Sequence, residues 1–412
     1  MVYTKCRKQG ANMIKIRIGD IKISMEEKTK LNEVIASCKF SEGIKVREFE
    51  AKWSKYIGTN YCVALNSGTS ALIAGLHALL YDKKFKKIKK GTKVITSPVS
   101  YIATTNAIVL SGMEPVYVDI NPLTFSLDVN QIETLLRKNA DDYSIILPVH
   151  LMGYPNDMDA INYLAEKYDL VVFEDAAQAH GSLYKGRRLG SLSLLAGFSF
   201  YIAHNIQVGE MGAVVTNDGD IRVLIKKIKA NGRACSCPVC VRSEGKCPYR
   251  NKSFDPRFTH ECIGFNFKTT EFQAAIAIPQ IEKANQIIKA RQNNVRYLNR
   301  QLNEFDEIFQ LPVYSEDVSY LGYPIIIRDK RIEREEFMQK LEQNGIETRP
   351  LFGCIPTQQP AYNYLKQIYE GKLPNAENVG KNGFYIGCHQ YLSEEDLEYV
   401  AKSFKKIVNL LL

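Results

Sequence analysis

"KVITSPVSYIATTNAIVLSGMEPVYVDI", residues 93–120, reads as a short β-branched run, an apolar helical stretch and a second β-branched run. The outer runs are nearly continuous in apolar residues, the pattern of strands covered on both faces. A helix between them is long enough to carry the chain back over the sheet, so the two strands can lie parallel. The rhythm extends both ways. "YCVALN" (61–66) precedes "TSALIAGLHALL" (69–80), and "SIILPVH" (144–150) precedes "MDAINYLAEKY" (158–168). "LVVFEDA" (170–176), "LAGFSFY" (195–201) and "GAVVTN" (212–217) follow. These predict an α/β fold with a mostly parallel sheet between helices, in which ligands bind beyond the carboxyl ends of the strands. The pattern breaks at 235–262, a loop rich in Cys, Pro, Arg and Lys. A long helical stretch over 270–302 follows, with an interruption expected at Pro279. From about 315 onward, "YPIIIR", "REEFMQKLEQNG" and "EEDLEYVAKSFKKIVNLL" have their own strand–helix rhythm. The expected division is an N-terminal extension over 1–20, a large α/β domain over 21–280, and a linking helix with a small C-terminal α+β domain over 281–412.

The 412 residues are 45% hydrophobic and 24% charged, enough for a sizeable core. A net charge of +9 comes from scattered lysines, apart from "KKFKKIKKG" (83–91) and "KKIKANGR" (226–233). Such a mild bias suits a diphosphate-bearing substrate and falls short of a nucleic-acid footprint. No apolar run is long enough for a membrane span, and the start has no apolar core of a secretion signal, so the expected location is the cytoplasm. Met13 is a candidate natural start. Of ten cysteines, Cys6, Cys38, Cys62, Cys354 and Cys388 are isolated and read as small buried hydrophobes or idle thiols. The other five crowd between Cys235 and Cys262, where a reducing compartment favours a metal over disulfides.

Three motifs fall at predicted strand ends. "NSGTSAL" (66–72) opens a helix, so Gly68, Thr69 and Ser70 can offer backbone N–H groups and hydroxyls to an anion, or merely cap the helix. "VVFEDAAQAHG" (171–181) ends a strand with Glu174 and Asp175. A buried carboxylate there needs a partner; a protonated pyridine nitrogen is one, a helix cap another. "SFYIAHNIQVGEMGAVVTND" (199–218) is a serine-and-aromatic turn running into a glycine-bearing strand.

In order, "NSGTSAL", "SPVSYIAT" (97–104), "PVHLMGYPNDMD" (148–159), "EDAAQAHG", "FSFY…GE.GAVVTND", "GFNFKTTEFQAA" (264–275) and "GIETRPLF" (345–352) resemble the DegT/DnrJ-type nucleotide-sugar aminotransferases over nearly the whole chain. The resemblance implies the fold-type I architecture of pyridoxal phosphate (PLP) enzymes and a homodimer with active sites at the interface. Carried over, Asp175 would pair with the pyridine nitrogen, Gln178 would approach the ring hydroxyl and Tyr101 would stack on the ring. Gly68, Thr69 and Ser199 would hold the phosphate, and Asn266 would reach it from the partner subunit. Ordinary packing or capping is the competing reading for each residue taken alone.

His204 departs from the pattern, because the family's cofactor-binding lysine belongs at this place. Imidazole has no primary amine, and neither Lys185 nor Lys226 is in register. Within the family, "Tyr, two residues, His" resembles the sugar-nucleotide 3-dehydratases. So do "FGCIPTQQPAY" (352–362) and "YIGCHQ" (385–390). That branch implies pyridoxamine phosphate (PMP) condensed with the C4 ketone of a nucleotide-linked 4-keto-6-deoxy sugar. His204 would move the proton and assist loss of the C3 hydroxyl. Tyr201 would hydrogen-bond the sugar, or serve as a core tyrosine. Met211 stands where the usual segment has glycine. The rival readings are an aminotransferase-like enzyme using another amine and a non-catalytic, metal-stabilised relative.

"RACSCPVCVRSEGKCP" (233–248) sets Cys235, Cys237, Cys240 and Cys247 in a C-x-C-x2-C-x6-C array, a spacing that signals zinc or an iron–sulfur cluster. One dehydratase subgroup, resembling CDP-4-keto-6-deoxyglucose 3-dehydratase, carries a [2Fe-2S] cluster on a loop placed here, and Cys235 and Cys237 match its spacing. That subgroup takes another ligand where this chain has Ala177, so Cys240 or Cys262 would have to supply the fourth thiolate. A cluster implies a flavin/iron–sulfur reductase as electron donor; without one, hydrolysis to a 3-deoxy ketone is expected.

Overall fold

The computed structural model describes residues 15–235, 237, 242, 244–247 and 254–412. Its centre is a seven-stranded sheet. The strands, in chain order, are β1 (Tyr61–Leu65), β2 (Lys93–Thr96), β3 (Glu114–Tyr117), β4 (Tyr143–Leu147) and β5 (Val171–Asp175). A two-stranded hairpin, β6 (Leu183–Tyr184) and β7 (Arg187–Arg188), intervenes before β8 (Leu195–Ser199) and β9 (Gly212–Thr216). The sheet order is β1-β9-β8-β5-β4-β2-β3, and only β9 runs against the rest. The chain thus has the fold-type I α/β architecture.

Strand side chains alternate between two cores. Val63, Leu65, Ile145, Leu147, Phe173 and Val214 face one; Cys62, Ala64, Ile146, Val172, Ala213 and Val215 face the other. Each core is closed by helices, which explains why the strands read as nearly unbroken apolar runs. Glu271 is buried on the second face and accepts from the amides of Gly43, Lys45 and Val46 at 2.8–2.9 Å. It caps the helix Ile44–Ile57, which has no side-chain cap of its own.

The first core runs on without a break into the C-terminal residues. There β10 (Phe309–Gln310), β11 (Tyr323–Ile327), β12 (Thr348–Pro350) and β13 (Gly383–Ile386) form an antiparallel sheet in the order β10-β11-β13-β12. The helix Glu394–Leu411 packs on it through Leu397, Val400, Phe404 and Ile407. Residues 15–18, assigned to the extension by sequence, lie on this C-terminal unit: Ile16 and Ile18 are buried, and Ile16 bridges Ile346 in parallel. The interruption expected at Pro279 is corrected. The helix Glu271–Glu282 passes through Pro279 and breaks at Lys283, before the helix Ala284–Leu302. Buried packing of Ala274, Ala277 and Ile278 holds the turn that a proline weakens.

Candidate active site

The carboxyl ends of β1, β2, β5 and β8 open into one cleft of about 1120 Å³, walled on the far side by C-terminal residues. Gly68, Thr69, Tyr101, Asp175, Gln178, Ser199, Tyr201 and His204 all line it. Eight sequence-nominated residues, drawn from four strand ends, therefore share one site.

At the end of β1, Ser67 caps the helix Gly68–Tyr81 in a capping box with Ser70. The Ser70 hydroxyl is spent on Asn66 and Ser67, so it is structural. The amides of Gly68 and Thr69 begin that helix, where an anion is favoured. A Cβ at residue 68 would lie 2.5 Å from Cβ of Ser199, and one at Gly212 would lie 2.0 Å from the Ser67 carbonyl. Glycine at both places lets the helix start press against the ends of β8 and β9.

The two carboxylates of β5 separate by face. Glu174 takes His150 Nε2 at 3.0 Å, the amides of Gly190 and Leu192, and the Ser193 hydroxyl. Burial pushes this carboxyl up, yet those donors bring it below its ordinary value, and it is structural. Asp175 has a thinner set, the Thr104 hydroxyl at 2.7 Å and the Ala177 amide at 3.2 Å. Burial raises its pKa against both bonds and a smaller attraction from His150, so the ionised form has no directly bonded cation among the described residues. Gln178 accepts the Met152 amide at 2.9 Å through Oε1, which leaves its Nε2 donors for the cleft.

His204 sits on a turn after β8 closed by its own amide on the Tyr201 carbonyl at 2.9 Å. Its Nδ1 lies 2.6 Å from the Ser199 carbonyl. A carbonyl only accepts, so Nδ1 carries the proton and Nε2 keeps the lone pair. Burial depresses the imidazole to about 4, opposed by the Ser199 bond and assisted by Arg291. It is neutral near pH 7 and equipped to take a proton. Tyr201 is 45% exposed with its ring 6.1 Å from that of His204, a cleft residue and not a core tyrosine. Tyr101 is 61% exposed, and its ring makes an edge contact to Phe352 at 6.1 Å, which leaves a ring face toward the cleft among the described residues. Met211 is fully buried in the second core, and its carbonyl accepts the Phe200 amide at 2.8 Å. Methionine is accommodated as core filler.

The far wall includes residues of the motifs "GIETRPLF" and "FGCIPTQQPAY", but its charged residues were not singled out in sequence. It brings Arg334, Arg349 and Lys381 to the cleft, with Glu333 and Glu335 beside them. Lys381 is the one lysine among the described lining residues. Thr104 was missed as well, although it sits three residues after Tyr101 on the helix Ala103–Leu110.

Asn266 is exposed, bridges Ala230 and is not among the residues lining this cleft. Cys240 lies outside the described residues. Among the described residues, no three or more His, Cys, Asp or Glu side chains come together as metal donors. The expected centre on Cys235, Cys237, Cys240 and Cys247 gains no support there, and with Cys240 outside the described residues it rests on its spacing alone.

The site fits PLP or PMP on three observations. A buried carboxylate has no directly bonded cation among the described residues, a helix start is pressed against a serine, and an aromatic face stands open to the cleft. A profile of the DegT/DnrJ/EryC1/StrS aminotransferase family matches residues 22–405. The lipopolysaccharide biosynthesis protein RfbH of Salmonella typhimurium is 31% identical over 372 residues, covering 88% of this chain and 84% of its own. GDP-perosamine synthase of Escherichia coli O157:H7 is 31% identical over 383 residues, covering 92% and 95%. The solved E. coli GDP-4-keto-6-deoxy-D-mannose-3-dehydratase with bound hydrated PLP aligns with a TM-score of 0.84 at 26% identity, over 95% of this chain and 100% of that one.

Proposed function

We propose that this chain, which belongs to the DegT/DnrJ/EryC1/StrS aminotransferase family, is a PMP/PLP-dependent 3-dehydratase of a nucleotide-linked 4-keto-6-deoxy sugar. One observation carries the reading: the residue at the cofactor-anchoring place is His204, neutral, with Nδ1 tied back to Ser199 and Nε2 left as a base.

The bound cofactor supplies an electron sink conjugated to the sugar's C4. Asp175 puts a negative charge beside the ring nitrogen, and Thr104 fixes which oxygen faces it. Gly68, Thr69 and Ser199 hold the phosphate at the helix start, Tyr101 covers a ring face, and Gln178 donates to the ring hydroxyl. His204 Nε2 would accept the proton released at the cofactor's C4′ carbon and return it to the departing C3 oxygen, which would leave as water. The Tyr201 hydroxyl orients the sugar. Arg349 and Lys381 face the diphosphate from the far wall. In a homodimer, the exposed Asn266 would reach the partner's phosphate site. The [2Fe-2S] or zinc arm rests on the C-x-C-x2-C-x6-C spacing alone; iron with sulfide in the anaerobically purified protein would support it and the reductase partner.

A second reading, an aminotransferase using another amine, is favoured by the GDP-perosamine synthase relative and by Lys381 in the cleft. Retention of a carboxylate suited to a pyridine argues against a non-catalytic scaffold. Purified protein with PMP and a nucleotide 4-keto-6-deoxy sugar should yield a product lighter by one water. Peptide mapping after PLP and borohydride should find no modified lysine; a modified Lys381 would establish the aminotransferase reading instead.

A further inference from the structure

Behind His204 lies a buried guanidinium that no step above uses. Arg291, on the helix Ala284–Leu302, is fully buried. Its Nη1 donates to the Tyr320 and Leu321 carbonyls at 3.2 and 2.9 Å, the Cys388 thiol also engages the guanidinium, and Nε and Nη2 make no hydrogen bond of good geometry among the described residues. Among the described residues, no carboxylate pairs with it. The Cys388 thiol lies against it, but burial pushes that thiol up to about 11, so it does not neutralise the charge.

An unpaired buried cation is costly, and replacing it with an apolar side chain of similar shape is often neutral or stabilising. Its place gives the compensation. The segment it clamps, residues 319–321, also accepts Asn205 Nδ2 on the Ser319 carbonyl at 3.0 Å, next to His204. The Leu321 amide donates to Met152, whose own amide holds Gln178.

We propose that Arg291 is a positioning residue for His204: it fixes residues 319–321 beneath the His204 turn and presents an unpaired positive charge to that imidazole. The field opposes a second positive charge on His204, and on His180 and His389, whose charged forms Arg291 also disfavours. Other polar groups leave this field uncompensated. His180 faces His204 from the turn after β5, with its Nδ1 accepting the Ile206 amide; Tyr201 flanks the ring on its own turn. Asp20, Lys22 and Asp396 face His389 instead, and Asp175 and Glu210 lie in the cleft.

The inference rests on His204 being the base, but its test does not need turnover. The ¹⁵N resonances of the His204 ring, assigned with His204→Asn, are followed against pH in the full-length protein. In Arg291→Met the midpoint should rise by about one unit, and in Arg291→Lys it should stay near the wild-type value. Thermal unfolding of Arg291→Met should be unchanged or later. Arg291→Gln, neutral and still able to donate to the two carbonyls, replaces Met if that variant does not fold. An unmoved midpoint in a folded neutral variant overturns the proposal, and so does failure of both neutral variants to fold, which would make the guanidinium structural. Absence of dehydration with a shifted midpoint would sink the functional reading and leave this one standing.

Discussion

In the proposed function His204 and Asp175 would divide the work, because their surroundings push them in opposite directions. Burial keeps the imidazole neutral, ready to accept a proton, and leaves the carboxylate short of a cation. His204→Lys restores a primary amine at the family's anchoring place. PLP should then survive borohydride as a modified residue 204, and any dehydration should fall about 10²–10⁴-fold, the usual worth of a positioned base. Full turnover in that variant would remove the imidazole from the mechanism. Thr104→Val deletes the 2.7 Å hydroxyl bond to Asp175, and a stranded buried carboxylate costs about 1–3 kcal/mol. PLP affinity, read by absorbance titration, should weaken about tenfold or more; unchanged affinity would mean the carboxylate does not meet the ring. Asp175 and His204 were legible in sequence because each sits in a short motif at a strand end. Thr104 and Arg349 sit in quoted motifs but were not singled out, and Arg291 lies in none, since their meaning comes from contacts across the fold.

At the level of the elements, the site exists because a helix start, a strand end and a turn are pressed together without side chains between them. Gly68 is the clearest case, with Ser199 already 2.5 Å from where a Cβ would sit. Gly68→Ala must push the helix start away from β8, an overpacking of about 1–3 kcal/mol. Affinity for PLP should fall while that for pyridoxal, which lacks the phosphate, stays the same; an equal fall for both would take the phosphate away from this helix. Parallel strands were legible as β-branched runs separated by helical stretches, since two-sided burial leaves a compositional mark. The run of the helix through Pro279 was not, because a proline's local penalty says nothing of the buried neighbours that offset it. The loop over 235–262 marks the opposite limit. Its cysteine spacing was plain, but Cys240 and much of the loop lie outside the described residues, so the metal reading rests on the spacing alone.

Across the whole molecule, the buried histidines tie function to stability. His204 and His389 are held at about 4 and His180 well below its ordinary value, in each case chiefly by burial. The unfolded chain binds protons at these rings below about pH 6.5, whereas the folded chain binds none until about pH 4. Their contribution is therefore complete above about pH 6.5 and is lost as the pH falls toward 4, at about 1.4 kcal/mol per unit per ring. Asp175 works the other way, because a raised carboxyl favours the fold on acidification, but it is one group against three. Urea midpoints should hold steady from pH 8 to 7 and drop between 6 and 4.5. PLP should raise them throughout, because it binds only the folded chain. Arg291→Met should flatten the slope, since removing the cation lets the imidazoles charge within the fold. A wild-type slope of zero between pH 6 and 4.5 would mean these rings are solvated in solution, and the neutral base at residue 204 would go with them.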